Sequence, residues 1–304
     1  MRKTAAGITI LLPFLFAGAL QAGEVRVGFV CRAMNSEFWQ SVRSGALAAA
    51  KENPDIALSV MAPDSETAVQ QQVQIVEDEI VKGVDVLVIA PCGEEELTPV
   101  MQKAHEQGIP VVVMDADTPW QDKVAFVGTN NVVGGYMAGE YIAKRLDGKG
   151  KVAIITGIIG HSPAMNRTNG AREALRRYPG IELVAVQPAN WERALGMTVA
   201  ENLLSTHPDL DAIFCCSDAM ALGALEAVAA EKADAFIVGF DAVPEAVQRV
   251  KDGGLAATVA QNSFNIGKIG VETAYKAFRK EKVDAHIDTG TLLVTADNAD
   301  EFVK

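Results

Sequence analysis

Polar and aromatic side chains of one chemical character recur at one kind of position, at or just past the end of an apolar, strand-forming run. Asn35-Ser36-Glu37-Phe38-Trp39 follows the first such run, Asp115-Ala116-Asp117 the fourth, and Gly160-His161-Ser162, then Arg167, the sixth. Asn190-Trp191 follows the seventh run, Ser217-Asp218 the eighth, Asp241 the ninth and Gln261 the tenth. The rings of Phe38, Trp39 and Trp191 can cover the apolar C–H faces of a polyhydroxylated ring. Asp115, Asp241 and Arg167 can take paired hydroxyls through charge-assisted hydrogen bonds. Asn35, Ser36, Ser217 and Gln261 add neutral donors and acceptors. As a set they suit a pocket that holds a polyhydroxyl compound without reacting with it. Singly they read otherwise: Phe38 and Trp39 open a helix pattern and fit a core, Arg167 fits a pair with a surface Glu, and Asp218 reads as a helix cap.

Motifs for catalysis are missing. Gly134-Gly135-Tyr136-Met137-Ala138-Gly139 lies inside a helix pattern and lacks the G-x-G-x-x-G spacing that cradles a dinucleotide. There is no P-loop, G-x-S-x-G or H-E-x-x-H, and His105, His161, His207 and His286 are scattered without metal-ligand spacing. The reading is therefore a binding protein, not an enzyme, with no cofactor and no metal.

The elements that position these residues alternate regularly. Strand-like runs are Val25–Cys31, Ile56–Ala62, Val84–Ala90, Pro110–Asp115 and Val124–Thr129, then Lys151–Gly157, Ile181–Gln187, Leu210–Ser217, Ala235–Asp241 and Leu255–Gln261. Val84–Ala90 and Lys151–Gly157 are apolar almost throughout, as expected of parallel strands covered on both faces. Helix patterns cover Glu37–Asn53, Ser65–Lys82 with a Ser cap, Glu94–Gln107, Asn131–Leu146 and Asp218–Glu231, and a late helix (Phe264–Lys280) precedes a last strand (Thr291–Thr295). The fold class is α/β, with two doubly wound parallel-sheet lobes, because this many strands overfill one sheet. In such sheets ligands bind beyond the C-terminal strand ends, where the residues above collect.

Arg2 and Lys3 precede an apolar run from Ala5 to Leu20 that closes at Leu20-Gln21-Ala22. This pattern predicts a cleavable secretory signal peptide over residues 1–22 and a periplasmic, exported protein. The formal net charge is -12, and loss of Arg2 and Lys3 makes the mature chain more acidic still, which argues against nucleic acid. Cys31 and Cys92 fall at two strand ends of one half, where a disulfide or two buried thiols are both open; Cys215 and Cys216 read as strand residues.

Along nearly the whole mature chain the sequence resembles the ribose-binding protein family of type I periplasmic binding proteins. The segments that carry the resemblance are Phe38-Trp39…Ser44-Gly45-Ala46, Val84–Pro91, Gly108-Ile109-Pro110-Val111-Val112, Asn131–Gly139, Arg167-Thr168-Asn169-Gly170, Gln187–Trp191, Asp218–Leu225, Val238–Asp241 and Leu255–Gln261. The resemblance implies that Phe38, Trp39, Asp115, Arg167, Trp191, Asp241 and Gln261 contact a sugar. It implies an N-terminal lobe of residues 23–128 plus 262–290 and a C-terminal lobe of 129–261 plus 291–304. These close at crossovers near Gly128–Asn131, Gln261–Ser263 and Thr289–Thr291. The protein would be a monomer that feeds the permease of an ABC sugar importer, with a feed to a chemoreceptor or sensor, or a small non-sugar solute as ligand, as the other readings. His161 lies where related galactose/glucose binders place a ligand histidine, with a loop residue at the cleft rim as the other reading. The sequence departs from the ribose pattern at Ser36 and Ser217, where ribose binders tend to have Asn, and at Ala116, where they have Arg, followed here by Asp117. An acid excess of Asp115, Asp117 and Asp241 over Arg167 suits a neutral polyol, a hexose or an amino sugar.

Overall fold

The computed structural model describes residues 24–302, so the expected signal peptide lies outside the described residues. No helix among the described residues is long and apolar enough to cross a membrane.

The apolar runs form two six-stranded sheets. The first contains β1 (Val25–Val30), β2 (Ile56–Met61), β3 (Val86–Ile89), β4 (Val111–Met114), β5 (Ala125–Gly128) and, from far along the chain, β11 (His286–Asp288), in the order β2-β1-β3-β4-β5-β11. The second contains β6 (Lys149–Thr156), β7 (Gly180–Pro188), β8 (Ala212–Cys215), β9 (Phe236–Asp241), β10 (Ala257–Ala260) and β12 (Leu292–Val294), in the order β7-β6-β8-β9-β10-β12. Both follow one plan, and every pairing is parallel except β10 with β12. In each the strand order reverses beside the first strand, which opens a crevice at the C-terminal strand ends.

Helices cover the sheets on both faces. In chain order they are α1 (Glu37–Glu52), α2 (Val69–Lys82), α3 (Thr98–Glu106), α4 (Asn131–Arg145), α5 (Ser162–Leu175), α6 (Arg193–Thr206), α7 (Asp218–Glu231), α8 (Pro244–Lys251) and α9 (Ser263–Phe278). The last of these returns to the first sheet, packing on α1, β1, β3 and β4. Helices α4 and α5 meet backbone to backbone: a Cβ at Gly135 would collide with the Arg167 carbonyl oxygen, and one at Gly170 with that of Val132. This close approach fixes the helix that carries Arg167.

The chain crosses between the sheets after β5, after β10 and after β11. The three crossings are pinned together. Thr129 and Thr289 both donate their hydroxyls to the Gln261 carbonyl, at 3.3 and 3.2 Å, and Asn262 Nδ2 donates to the Thr289 carbonyl at 2.8 Å.

Several boundaries differ from the sequence expectation. Helix α2 starts at Val69, not Ser65, because the Ser65 hydroxyl pairs with Thr67 Oγ1 and no side chain caps the helix. Helix α3 starts at Thr98, with Pro99 in its first turn, and residues 94–97 form turns ahead of it. Ser217, not Asp218, caps α7 by accepting the Met220 N–H. The short β11 has no counterpart in the sequence reading. All four cysteines are buried free thiols, so the bridge between Cys31 and Cys92 is not formed.

Candidate functional site

The crevices of the two sheets face each other and enclose a cavity of about 440 Å³, within the usual range for a small-molecule site. The first sheet contributes residues past β1 and β4. Ser36 caps α1, accepting the Trp39 N–H at 3.4 Å, and so aims Phe38 and Trp39 at the cavity from the first helical turn. Their rings meet edge to face at 5.0 Å. Trp39 Nε1 donates to Glu66 Oε1 at 2.8 Å, which pulls the loop before α2 into the wall. Arg32, two residues past β1, is 2 % exposed. Its Nη1 donates to Asp115 Oδ2 at 3.1 Å, and its Nε lies 3.4 Å from Glu66 Oε2. Burial works against charge on this guanidinium, but Glu66 and Asp115 outweigh it. Burial also raises Glu66 above the usual carboxylate range, against the pull of Arg32.

Opposite stands a second cluster around Arg167. Its Nε donates to Asn131 Oδ1 at 2.8 Å, its Nη1 to the Cys216 carbonyl at 2.7 Å and to Asp241 Oδ1 at 3.4 Å, and its Nη2 to Gln261 Oε1 at 3.1 Å. Gln261 Nε2 in turn donates to Asp241 Oδ1 at 2.5 Å. The guanidinium lies 3.9 Å over the Phe240 ring and 5.6 Å from that of Trp191. Each of the three nitrogens of Arg167 thus has a protein partner that fixes the guanidinium, a preorganisation that lowers the cost of binding. Burial lifts the Asp241 carboxyl to about 7 even beside Arg167. Asp218 is also pushed well above the usual aspartate value, by burial and by Asp241, while accepting from Thr258 Oγ1 and the Val243 N–H.

Backbone strain marks the same positions. Asp115, Trp191 and Asp241 have φ of 64°, 68° and 123°, a region costing about 1–3 kcal/mol for each such residue. Asp tolerates it through its short polar side chain; Trp191 does not, and its ring packs where a Cβ on Gly157 would stand.

A family model described as periplasmic binding protein domain matches residues 27–282. The chain belongs to this family. The ribose import binding protein of Salmonella typhimurium is 35 % identical over 295 residues, covering 97 % of this chain and 98 % of the relative. Among solved structures, a periplasmic solute-binding protein of an ABC transporter from Actinobacillus succinogenes, with bound D-allose, superposes with a TM-score of 0.87. It is 30 % identical and the match covers 91 % of this chain and 99 % of that one. A solute-binding protein from Bacillus halodurans with bound myo-inositol has a TM-score of 0.86 at 28 % identity, with 93 % and 98 % covered.

Within this family member, Asn35, Ser36, Phe38, Trp39, Asp115, Arg167, Trp191, Ser217, Asp241 and Gln261 line the cavity as the sequence suggested. Asp117 and His161 do not. The turn at Asp115 buries Ala116 and leaves Asp117 44 % exposed, accepting from the Thr118 N–H and paired with Lys123 at 3.2 Å. His161 is buried against Arg32, outside the cavity wall. Arg32 and Glu66 line the cavity and were missed. Arg32 had a signal, a cation just past the first strand at the crevice; Glu66 had none, since it sits in a loop without periodicity. The charges of the two bonded clusters are therefore Asp115, Asp241 and the partly buried Glu66 against Arg32 and Arg167, a smaller acid excess than Asp117 implied.

Proposed function

We propose that this chain is the solute-binding component of an ABC sugar importer, closing on one monosaccharide or cyclic polyol and delivering it to the membrane permease. The observation that carries this reading is the pair of facing, pre-bonded clusters, Arg32–Asp115–Glu66 and Arg167–Asp241–Gln261, with aromatic rings from both sides between them. A hydroxylated ring fits that frame, with carboxylates and guanidinia taking hydroxyl edges and Phe38 and Trp191 covering C–H faces. The ligands named for the relatives, ribose, D-allose and myo-inositol, are compounds of this kind. The ligand contacts belong to the cavity-lining residues above, with Arg32 and Glu66 added. The lobes of residues 23–128 plus 262–290 and 129–261 plus 291–304 rotate about the pinned crossings, and a ligand that touches both favours the closed state. Export follows cleavage of residues 1–22, and the protein works in the periplasm.

The test is a thermal-shift screen of mature protein, stripped of carried-over ligand, against pentoses, hexoses, alditols, inositols and amino sugars. A cognate sugar adds about 2.7 kcal/mol of stability at a hundredfold excess over its Kd. A flat response across the panel overturns the sugar reading.

A further inference from the structure

Arg32 and His161 belong to different sheets, and their contact spans the cleft. Arg32 follows β1 of the first sheet, whereas His161 precedes α5, which flanks the second. Arg32 Nη2 meets His161 at Nδ1 and lies 3.4 Å from Nε2. The next residue, Ser162, donates its backbone N–H to Glu94 Oε1 at 2.6 Å, a second bond across the same seam. His161 stays outside the cavity wall, so a ligand there does not touch it.

A guanidinium has only donors, so the imidazole nitrogen that faces it must offer a lone pair. His161 in this contact is neutral and accepts through Nδ1. A protonated ring has no lone pair and would press two cations together in a buried seam. The surrounding groups offer little relief. The Cys92 backbone favours the protonated ring, but Glu94 is taken by Ser162, and Asp115 and Glu66 are paired with Arg32 at Nη1 and Nε. Burial first, and Arg32 second, hold His161 down to about 3.

We propose that Arg32 and His161 form a proton-sensitive latch: the lobes close with His161 neutral, and acidification of the compartment weakens closure and releases ligand. This rests on the reading that ligand drives closure. The sign follows from linkage. In the open state His161 faces water with its ordinary value of about 6.5. The closed state binds fewer protons, so the latch is at full strength above that value. It weakens as the pH falls through 6.5, until the closed-state ring also titrates near 3.

Calorimetry with the best sugar of the screen, near pH 7.5 and near pH 5, tests the latch. The expected Kd is roughly thirtyfold weaker at the lower pH, for an open-state value of about 6.5, with about one proton released on binding. His161→Gln, whose amide oxygen accepts from Arg32 at any pH, loses this pH dependence relative to wild type. His161→Ala serves as a second variant if the first folds poorly, and it too lacks the proton release. In parallel, NMR on carbon-labelled histidine follows the His161 ring directly. Binding near pH 7.5 with the same pH profile in wild type and His161→Gln overturns the latch and leaves the sugar reading standing. With sugar bound, a ring that still titrates near 6.5 also overturns it.

Discussion

Arg32 and Asp115, separated by 83 positions in the sequence, meet at 3.1 Å in the wall of the cavity. The pair joins the end of β1 to the end of β4 and puts a buried cation between two carboxylates, Asp115 and Glu66. Removing that cation leaves both carboxylates without their counter-ion. Arg32→Met is therefore expected to destabilise the ligand-free protein by about 3–5 kcal/mol and to abolish sugar binding. Denaturant unfolding and calorimetry check this, and an unchanged midpoint contradicts the buried pair.

The raised Asp241 carboxyl makes a prediction about pH. Its folded value of about 7 lies above that of an unfolded aspartate, so the native state holds the extra proton. This group's contribution to stability is present at low pH and is lost as the pH rises through 7. Asp241→Asn removes the dependence. The difference in stability between wild type and variant should change between about pH 5 and pH 8, with the variant gaining on wild type at the upper end. A difference that does not move with pH argues that Asp241 titrates normally. Sugar affinity falls in the same variant above pH 7, where Asp241 is a carboxylate that an amide does not replace.

Trp191 combines a strained backbone with a ring over Gly157. Trp191→Ala gives up an aromatic face against the ligand, expected to weaken binding by about tenfold to a hundredfold, or roughly 1.4–2.8 kcal/mol. The melting temperature of the ligand-free variant should change little, because relief of strain offsets lost packing. Titration calorimetry reads the first effect and a thermal melt the second. Equal affinity would remove Trp191 from the ligand's surroundings.

Asp117 supplies the control. It pairs with Lys123 at the surface and stays out of the cavity wall. Asp117→Asn should leave sugar affinity unchanged and stability within about 0.5 kcal/mol. A large loss of affinity would restore the ligand role that its position in the sequence suggests.

The contrast between Asp117 and Arg32 shows what the sequence made legible. The strands stood out because parallel strands covered on both faces need unbroken apolar runs, and the site followed because ligands collect at their C-terminal ends. That rule places a residue near the cavity without saying which way it points. Asp115 and Asp117 both follow β4, yet the left-handed turn at Asp115 sends one carboxylate inward and the other to solvent. Glu66 was hidden for a different reason. Its place depends on Trp39, which is 27 positions away in the sequence and bonds to it through the indole N–H, and no local pattern encodes such a partner. The start of α2 was hidden likewise, because the Ser65 hydroxyl pairs with Thr67 instead of capping the helix, and Glu66 turns to Trp39 in the wall.

The pinned crossings at Thr129, Gln261 and Thr289 have a consequence for how much freedom a ligand must remove. Two bodies joined by one linker diffuse about each other in every direction, and a guest bridging them must halt all of that motion. Two bodies joined at three closely spaced points can only swing. Each half of the site thus presents itself to the other at a high and fixed effective concentration. In the proposed closure the guest stops a single rotation, and most of what its hydroxyls gain remains as affinity.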